Sequence, residues 1–78
     1  MKLILIRHTH ADWAPELDDH ARPLSPRGQD EACRLGNWLR KSGHLPSNAL
    51  VSDAKRTGQS FAALALSCPA DALAELYL

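Results

Sequence analysis

Arg7 and His8 stand side by side directly after an apolar run, Leu3-Ile4-Leu5-Ile6, and Arg56 follows Ser52-Asp53-Ala54-Lys55. Two guanidinium groups can grip a tetrahedral oxyanion through paired hydrogen bonds. An imidazole held between them can attack phosphorus and carry the phosphoryl group covalently. The trio therefore fits phosphoryl transfer through a phosphohistidine, with His8 attacking and Arg7 and Arg56 holding the oxygens. A helix starting near Ser52-Asp53 would add backbone N–H donors to the same anion.

Other chemistries fit the same residues less well. His8, His10 and Asp12 have the i, i+2 spacing of metal ligands on one face of a strand. Nearby arginines oppose a cation there, so no metal is expected. Ser52 lacks Ser-His-Asp spacing and reads as a helix cap that orients the arginine loop and touches the phosphoryl group. Arg22 divides between a substrate contact and an ion pair with Asp18 or Asp19. His10 reads as a pocket-rim residue, His20 and His44 as surface residues, and Trp38 as core. Arg27, Arg34, Arg40 and Lys41 read as a solvated helix face.

Positioning these groups requires particular elements. Leu3–Ile6 is apolar without alternation, as in a strand buried on both faces of a parallel sheet. Residues 11–24 carry Pro15, Asp18, Asp19 and Pro23 and read as a surface loop. Ser25-Pro26 opens a helix whose stripe of Ala32, Leu35 and Leu39 faces a core and whose end is Gly43. Ala49-Leu50-Val51 predicts a second buried strand. Ser52-Asp53 predicts the cap of a helix over 54–66, with Phe61, Leu64 and Ala65 inward, stopped before Pro69. The segment 72–78 is apolar and of undetermined type. Strand, loop, helix, strand, helix is the order of an α/β protein with a parallel sheet. Ligands in such sheets bind beyond the carboxyl ends of the strands, where Arg7-His8 and Ser52–Arg56 both fall.

The 78 residues carry nine basic and nine acidic side chains, and the arginines are dispersed. That balance argues against a nucleic-acid partner. No stretch is long and apolar enough to span a bilayer, and Met1–Ile6 is too short for a signal peptide. A cytoplasmic protein follows as the expectation. Cys33 and Cys68 show no paired spacing and read as free or buried thiols.

The ordered motifs resemble one family. Arg7-His8-Thr9 resembles the RHG-type motif of the histidine phosphatase (phosphoglycerate mutase-like) superfamily. Ser52-Asp53-Ala54-Lys55-Arg56-Thr57-Gly58-Gln59-Ser60 is similar to its second motif, S-x-x-x-R-A-x-Q-T. Asp12-Trp13, Asp19-His20-Ala21-Arg22-Pro23-Leu24-Ser25-Pro26-Arg27-Gly28 and Trp38-Leu39 resemble the SixA-type phosphohistidine phosphatase branch. The resemblance covers most of residues 2–60, with a weaker echo in Leu76-Tyr77-Leu78.

It implies a three-layer α/β histidine phosphatase fold, of which residues 1–78 supply the N-terminal half as one partial domain. It implies His8 as nucleophile, Arg7 and Arg56 as phosphoryl ligands, and Arg22 facing the same pocket. The implied reaction removes a phosphoryl group from phosphohistidine on a protein and needs no metal or organic cofactor. Two alternatives stay open: a non-catalytic phosphoryl-binding fragment, and a small-molecule phosphatase or mutase of the same superfamily.

Several positions depart from the pattern. Thr9 replaces a small residue, His10 stands where lysine or glutamate is common, and Thr57-Gly58 replace an alanine and a variable residue. The family's second catalytic histidine, in a later GH motif, has no counterpart here. His44 follows Gly43 but sits before the second strand, out of order. A half domain is expected to expose a sheet edge and apolar helix flanks, and so to self-associate.

Overall fold

The computed structural model describes residues 3–11 and 16–76. Asp12-Trp13 and Tyr77-Leu78, which enter the family resemblance, lie outside them. A 3-10 turn at Asp19–Ala21 leads to helix α1 (Pro26–Ser42), strand β1 (Ala49–Ser52), helix α2 (Lys55–Leu64), strand β2 (Ala70–Leu73) and a 3-10 turn at Ala74–Leu76.

Helix α1 has the ends its sequence predicts. Ser25 is extended (φ −74°, ψ 164°), and its hydroxyl accepts the Gly28 N–H at 3.0 Å, with Pro26 in the first helical position. Gly43 adopts φ 73°, the left-handed conformation that closes a helix at little cost to glycine. The His44 N–H then reaches the Leu39 carbonyl at 3.0 Å. Between these ends, Gly28, Ala32, Gly36 and Leu39 recur at helical spacing and are buried.

That small-residue face lets the two helices approach closely. A Cβ on Gly36 would lie 2.2 Å from the Leu64 carbonyl oxygen, so α2 rests directly on the α1 backbone. Leu39, Leu64 and Leu66 form the core beside this crossing, with Leu35, Phe61 and Cys68 packed on it. Arg40 reaches across from α1 and donates from Nη1 to the Leu64 and Ala65 carbonyls at 2.6 and 2.9 Å. It therefore caps the exposed carbonyl end of α2, rather than joining a solvated face as expected.

Helix α2 is shorter than predicted. Its cap is Ala54, not Ser52-Asp53, and it ends at Leu64 with Ala65 in left-handed conformation (φ 52°). Ser52 still contributes locally, its hydroxyl accepting the Ala54 N–H at 3.3 Å. Ala65 faces outward, and Leu66 is buried instead. Trp38 is also corrected: it is 57% exposed and lies tilted against the His44 ring, with centroids 5.6 Å apart. Its place on α1 turns it away from the side that Gly36 and Leu39 bury.

The sheet differs most from expectation. β1 pairs in parallel with β2, Ala49 opposite Ala70 and Ser52 opposite Leu73, around the α2 crossover. Leu3–Ile6, expected as a buried strand beside β1, is assigned to no strand. Leu3 and Leu5 are 89% and 91% exposed, while Ile4 and Ile6 are partly covered. A segment apolar on both faces needs cover on both sides. Here the described residues shield only every second side chain.

Candidate functional site

The segment after Ile6 is held where its apolar prelude is not. The Thr9 hydroxyl donates to the Gly28 carbonyl at 2.7 Å, and the Thr9 N–H donates to Ser60 Oγ at 3.3 Å. The His10 N–H donates to Glu31 Oε1 at 3.2 Å. The His10 carbonyl accepts from the Ser25 N–H and the Ser25 hydroxyl, both at 3.0 Å. His10 Nδ1 lies 2.6 Å from Ser25 Oγ, and Ala11 forms an antiparallel bridge with Leu24. Because the Ser25 hydroxyl spends its proton on the His10 carbonyl, the imidazole is the donor in that pair.

Gly28 is required for this docking. A Cβ there would sit 2.0 Å from the His10 carbonyl oxygen. The glycine of Arg-Pro-Leu-Ser-Pro-Arg-Gly thus lets the loop lie on the first turn of α1. Thr9 fits because its hydroxyl finds an acceptor in the same turn.

His8 is oriented by two contacts on opposite ring nitrogens. Nδ1 lies 2.7 Å from the Thr9 carbonyl, which can only accept. Arg56 Nε–H points at Nε2 from 3.3 Å and can only donate. The tautomer that satisfies both is neutral, with its proton on Nδ1 and a lone pair on Nε2. Nε2 therefore carries the free lone pair.

Arg56 is buried on α2 and is gripped from the other side by the 3-10 turn. Its Nη1 donates to the Asp19 carbonyl at 2.7 Å and its Nη2 to Asp19 Oδ2 at 3.2 Å. Arg22 Nε donates to Asp19 Oδ1 at 3.1 Å. The ion-pair alternative for Arg22 is thus realised with Asp19. Arg22 also lines an open cleft of about 360 Å³ with Arg7, His8, Thr9, His10, Ala11 and Glu31. Arg56 meets this cleft through His8. Ser52 is not one of the lining residues and lies at the foot of α2.

Glu31 shares the cleft with His8, but its position unfits it as a proton donor. The His10 amide bonded to its carboxylate, and then Arg27, hold it below the usual carboxylate range. It stays ionised at neutral pH. Of the metal alternative, His8 turns its Nε2 toward the Arg56 guanidinium, a cation that opposes a metal ion there. Its third member, Asp12, lies outside the described residues.

Three further residues shape the site, and of these only Asp19 was anticipated, as a candidate partner of Arg22. Ser60 accepts from Thr9 and donates to the Arg56 carbonyl at 2.9 Å. Gln59 Oε1 accepts the Leu24 N–H at 2.7 Å, fixing the Arg-Pro-Leu segment. Asp19 joins Arg22 to Arg56. A signal existed for the first two: they fall three and four residues after Arg56, on its face of α2.

Known proteins resemble this chain in sequence and fold. The family described as histidine phosphatase superfamily (branch 1) matches residues 3–77. An uncharacterized chloroplastic protein of Arabidopsis thaliana is 43% identical over 60 residues, covering 76% of this chain and 28% of that protein. An uncharacterized protein of Mycobacterium tuberculosis is 36% identical over 72 residues, covering 92% and 46%. The chain thus spans less than half the length of these relatives. Among solved structures, a SixA protein from Nakamurella multipartitia superposes with a TM-score of 0.80 at 43% identity, over 94% of this chain and 41% of that one. The protein histidine phosphatase SixA complexed with tungstate superposes with 0.84 at 32% identity, over 91% and 47%. The α/β architecture described above is therefore part of the histidine phosphatase fold.

Proposed function

Because the chain belongs to the histidine phosphatase superfamily, branch 1, we propose that the protein to which residues 1–78 contribute one partial domain is a cytoplasmic phosphatase removing phosphoryl groups from phosphohistidine on a protein. The observation that carries this reading is the His8 tautomer, with Nε2 unprotonated and directed at the Arg56 guanidinium. In the first half-reaction Nε2 attacks phosphorus, a new N–P bond forms, and the N–P bond to the substrate imidazole breaks. Arg56 exchanges its contact with Nε2 for a phosphoryl oxygen, and Arg7 and Arg22 take others across the cleft. Water then attacks phosphorus, breaks the bond to His8 and releases inorganic phosphate.

An imidazole leaving group needs less acid assistance than an alkoxide. Glu31, held ionised, is consistent with a substrate that needs little. The likeness to SixA structures supports the same substrate class. Ser52 acts in this reading by shaping the start of α2 beside the phosphoryl ligands, and no metal or organic cofactor takes part.

The test is labelling with a radioactive phosphohistidine protein, quenched in alkaline detergent, comparing the native sequence with His8→Ala. The expected result is a base-stable, acid-labile label on the native chain and none on the variant. Binding of phosphate with no label on either would support the non-catalytic fragment instead. Faster turnover of sugar phosphates than of phosphohistidine protein would favour the small-molecule alternative.

A further inference from the structure

We propose that Asp19 is a resident counter-anion of the phosphoryl site, occupying guanidinium donors that an incoming phosphate must take over. The inference rests on Arg22 and Arg56 being phosphoryl ligands, as argued above, and assigns a role to a residue outside that set.

The geometry is that of a carboxylate standing in for a tetrahedral oxyanion. One Asp19 oxygen receives Arg22 Nε at 3.1 Å and the other receives Arg56 Nη2 at 3.2 Å. A single carboxyl group thus bridges two arginines that flank His8, as two oxygens of a phosphoryl group would. The arginine side chains are largely covered, at 20% and 11% exposed, whereas Asp19 is 54% exposed. The carboxylate can therefore swing into water at small desolvation cost, leaving the guanidinium groups in place.

A separate contact keeps Arg56 aligned when that happens. Its Nη1 donates to the Asp19 main-chain carbonyl at 2.7 Å, a bond that no side-chain substitution at this position removes. The 3-10 turn is also tied to the segment leading into α2 by His20 Nε2 on Asp53 Oδ1 at 2.7 Å. Orientation of Arg56 and competition for its donors thus reside in different atoms of one residue. Backbone and side chain make opposite predictions for a substitution. If the carboxylate positions the arginines, removing its charge weakens anion binding. If it competes with the ligand, removing its charge strengthens binding.

Asp19→Asn and Asp19→Ala are to be compared with the native chain by calorimetric titration with inorganic phosphate. Asp18→Asn serves as the control, removing the same charge from the exposed neighbouring residue. Both Asp19 variants are expected to bind phosphate about two- to fivefold more tightly, the range for an exposed ion pair given up on binding. Asp18→Asn should change the affinity by less than either. Weaker binding by the Asp19 variants, or a gain no larger than that of Asp18→Asn, overturns the proposal. So does His8→Ala losing its label while all four chains bind phosphate equally, an outcome that leaves the catalytic reading intact. Absence of phosphate binding by every chain defeats both readings.

Discussion

Two adjacent stretches of the chain, Leu3–Ile6 and His8–Ala11, reverse the usual expectation about which residues become ordered by burial. The first is wholly apolar, yet Leu3 and Leu5 stand almost fully in solvent. The second is polar, yet each of Thr9, His10 and Ala11 is tied to α1, α2 or the Arg-Pro-Leu segment. Hydrophobic burial is non-directional and depends on what stands opposite. Hydrogen bonds need only one correctly placed partner each, and α1 and α2 supply those partners at Gly28, Glu31 and Ser60. The segment carrying His8 is therefore anchored by the helices even though the apolar run that leads to it is poorly covered.

The contrast can be broken most forcefully at Gly28. Gly28→Ala would drive a methyl group into the His10 carbonyl and is expected to cost about 2–3 kcal/mol, at the upper end for overpacking. Urea unfolding should show that loss together with weakened phosphate binding. A variant that unfolds normally and binds phosphate normally would mean that the loop does not rest on α1.

Ser60 offers a finer probe. Ser60→Ala removes a buried hydroxyl that joins Thr9 to the Arg56 turn, at a cost of about 1 kcal/mol. Phosphate affinity should fall with it, and Ser60→Thr, which keeps the hydroxyl, should restore the affinity. The smallest effect belongs to the exposed stretch. Leu5→Ser should change unfolding stability by less than about 0.5 kcal/mol, the usual limit at open positions. The same substitution should reduce self-association measured by sedimentation, if the exposed apolar side chains drive it. A large loss of stability would show that Leu5 is packed after all.

Legibility in the sequence followed the range of the interactions. The ends of α1 were readable because Ser25, Pro26 and Gly43 act on their own neighbours. The convergence of Arg7, His8, Arg22 and Arg56 was readable from motif order. The fate of Leu3–Ile6 was not, because an apolar run specifies a need for cover and not its source. The same holds for β2, which takes in only Ala72 and Leu73 of the undetermined segment and exists by pairing with β1. Arg40 was misjudged for a related reason: its charge suggested solvent, but its partners are carbonyls on another helix. Asp19 was named as one of two candidates for Arg22. Its second contact, to Arg56, depends on a turn meeting a helix 37 residues away.

The contact between Arg56 and His8 joins residues 48 positions apart, and that between Ser60 and Thr9 joins residues 51 apart. The β1–α2–β2 unit closes over less than half that distance, from Ala49 to Ala70. Each doubling of a loop adds roughly 0.6 kcal/mol to its closure entropy, and long-range contacts slow folding. In time rather than in space, then, loop entropy places Arg56 in the quickly closing part of the chain and leaves His8 to join it across the longer loop.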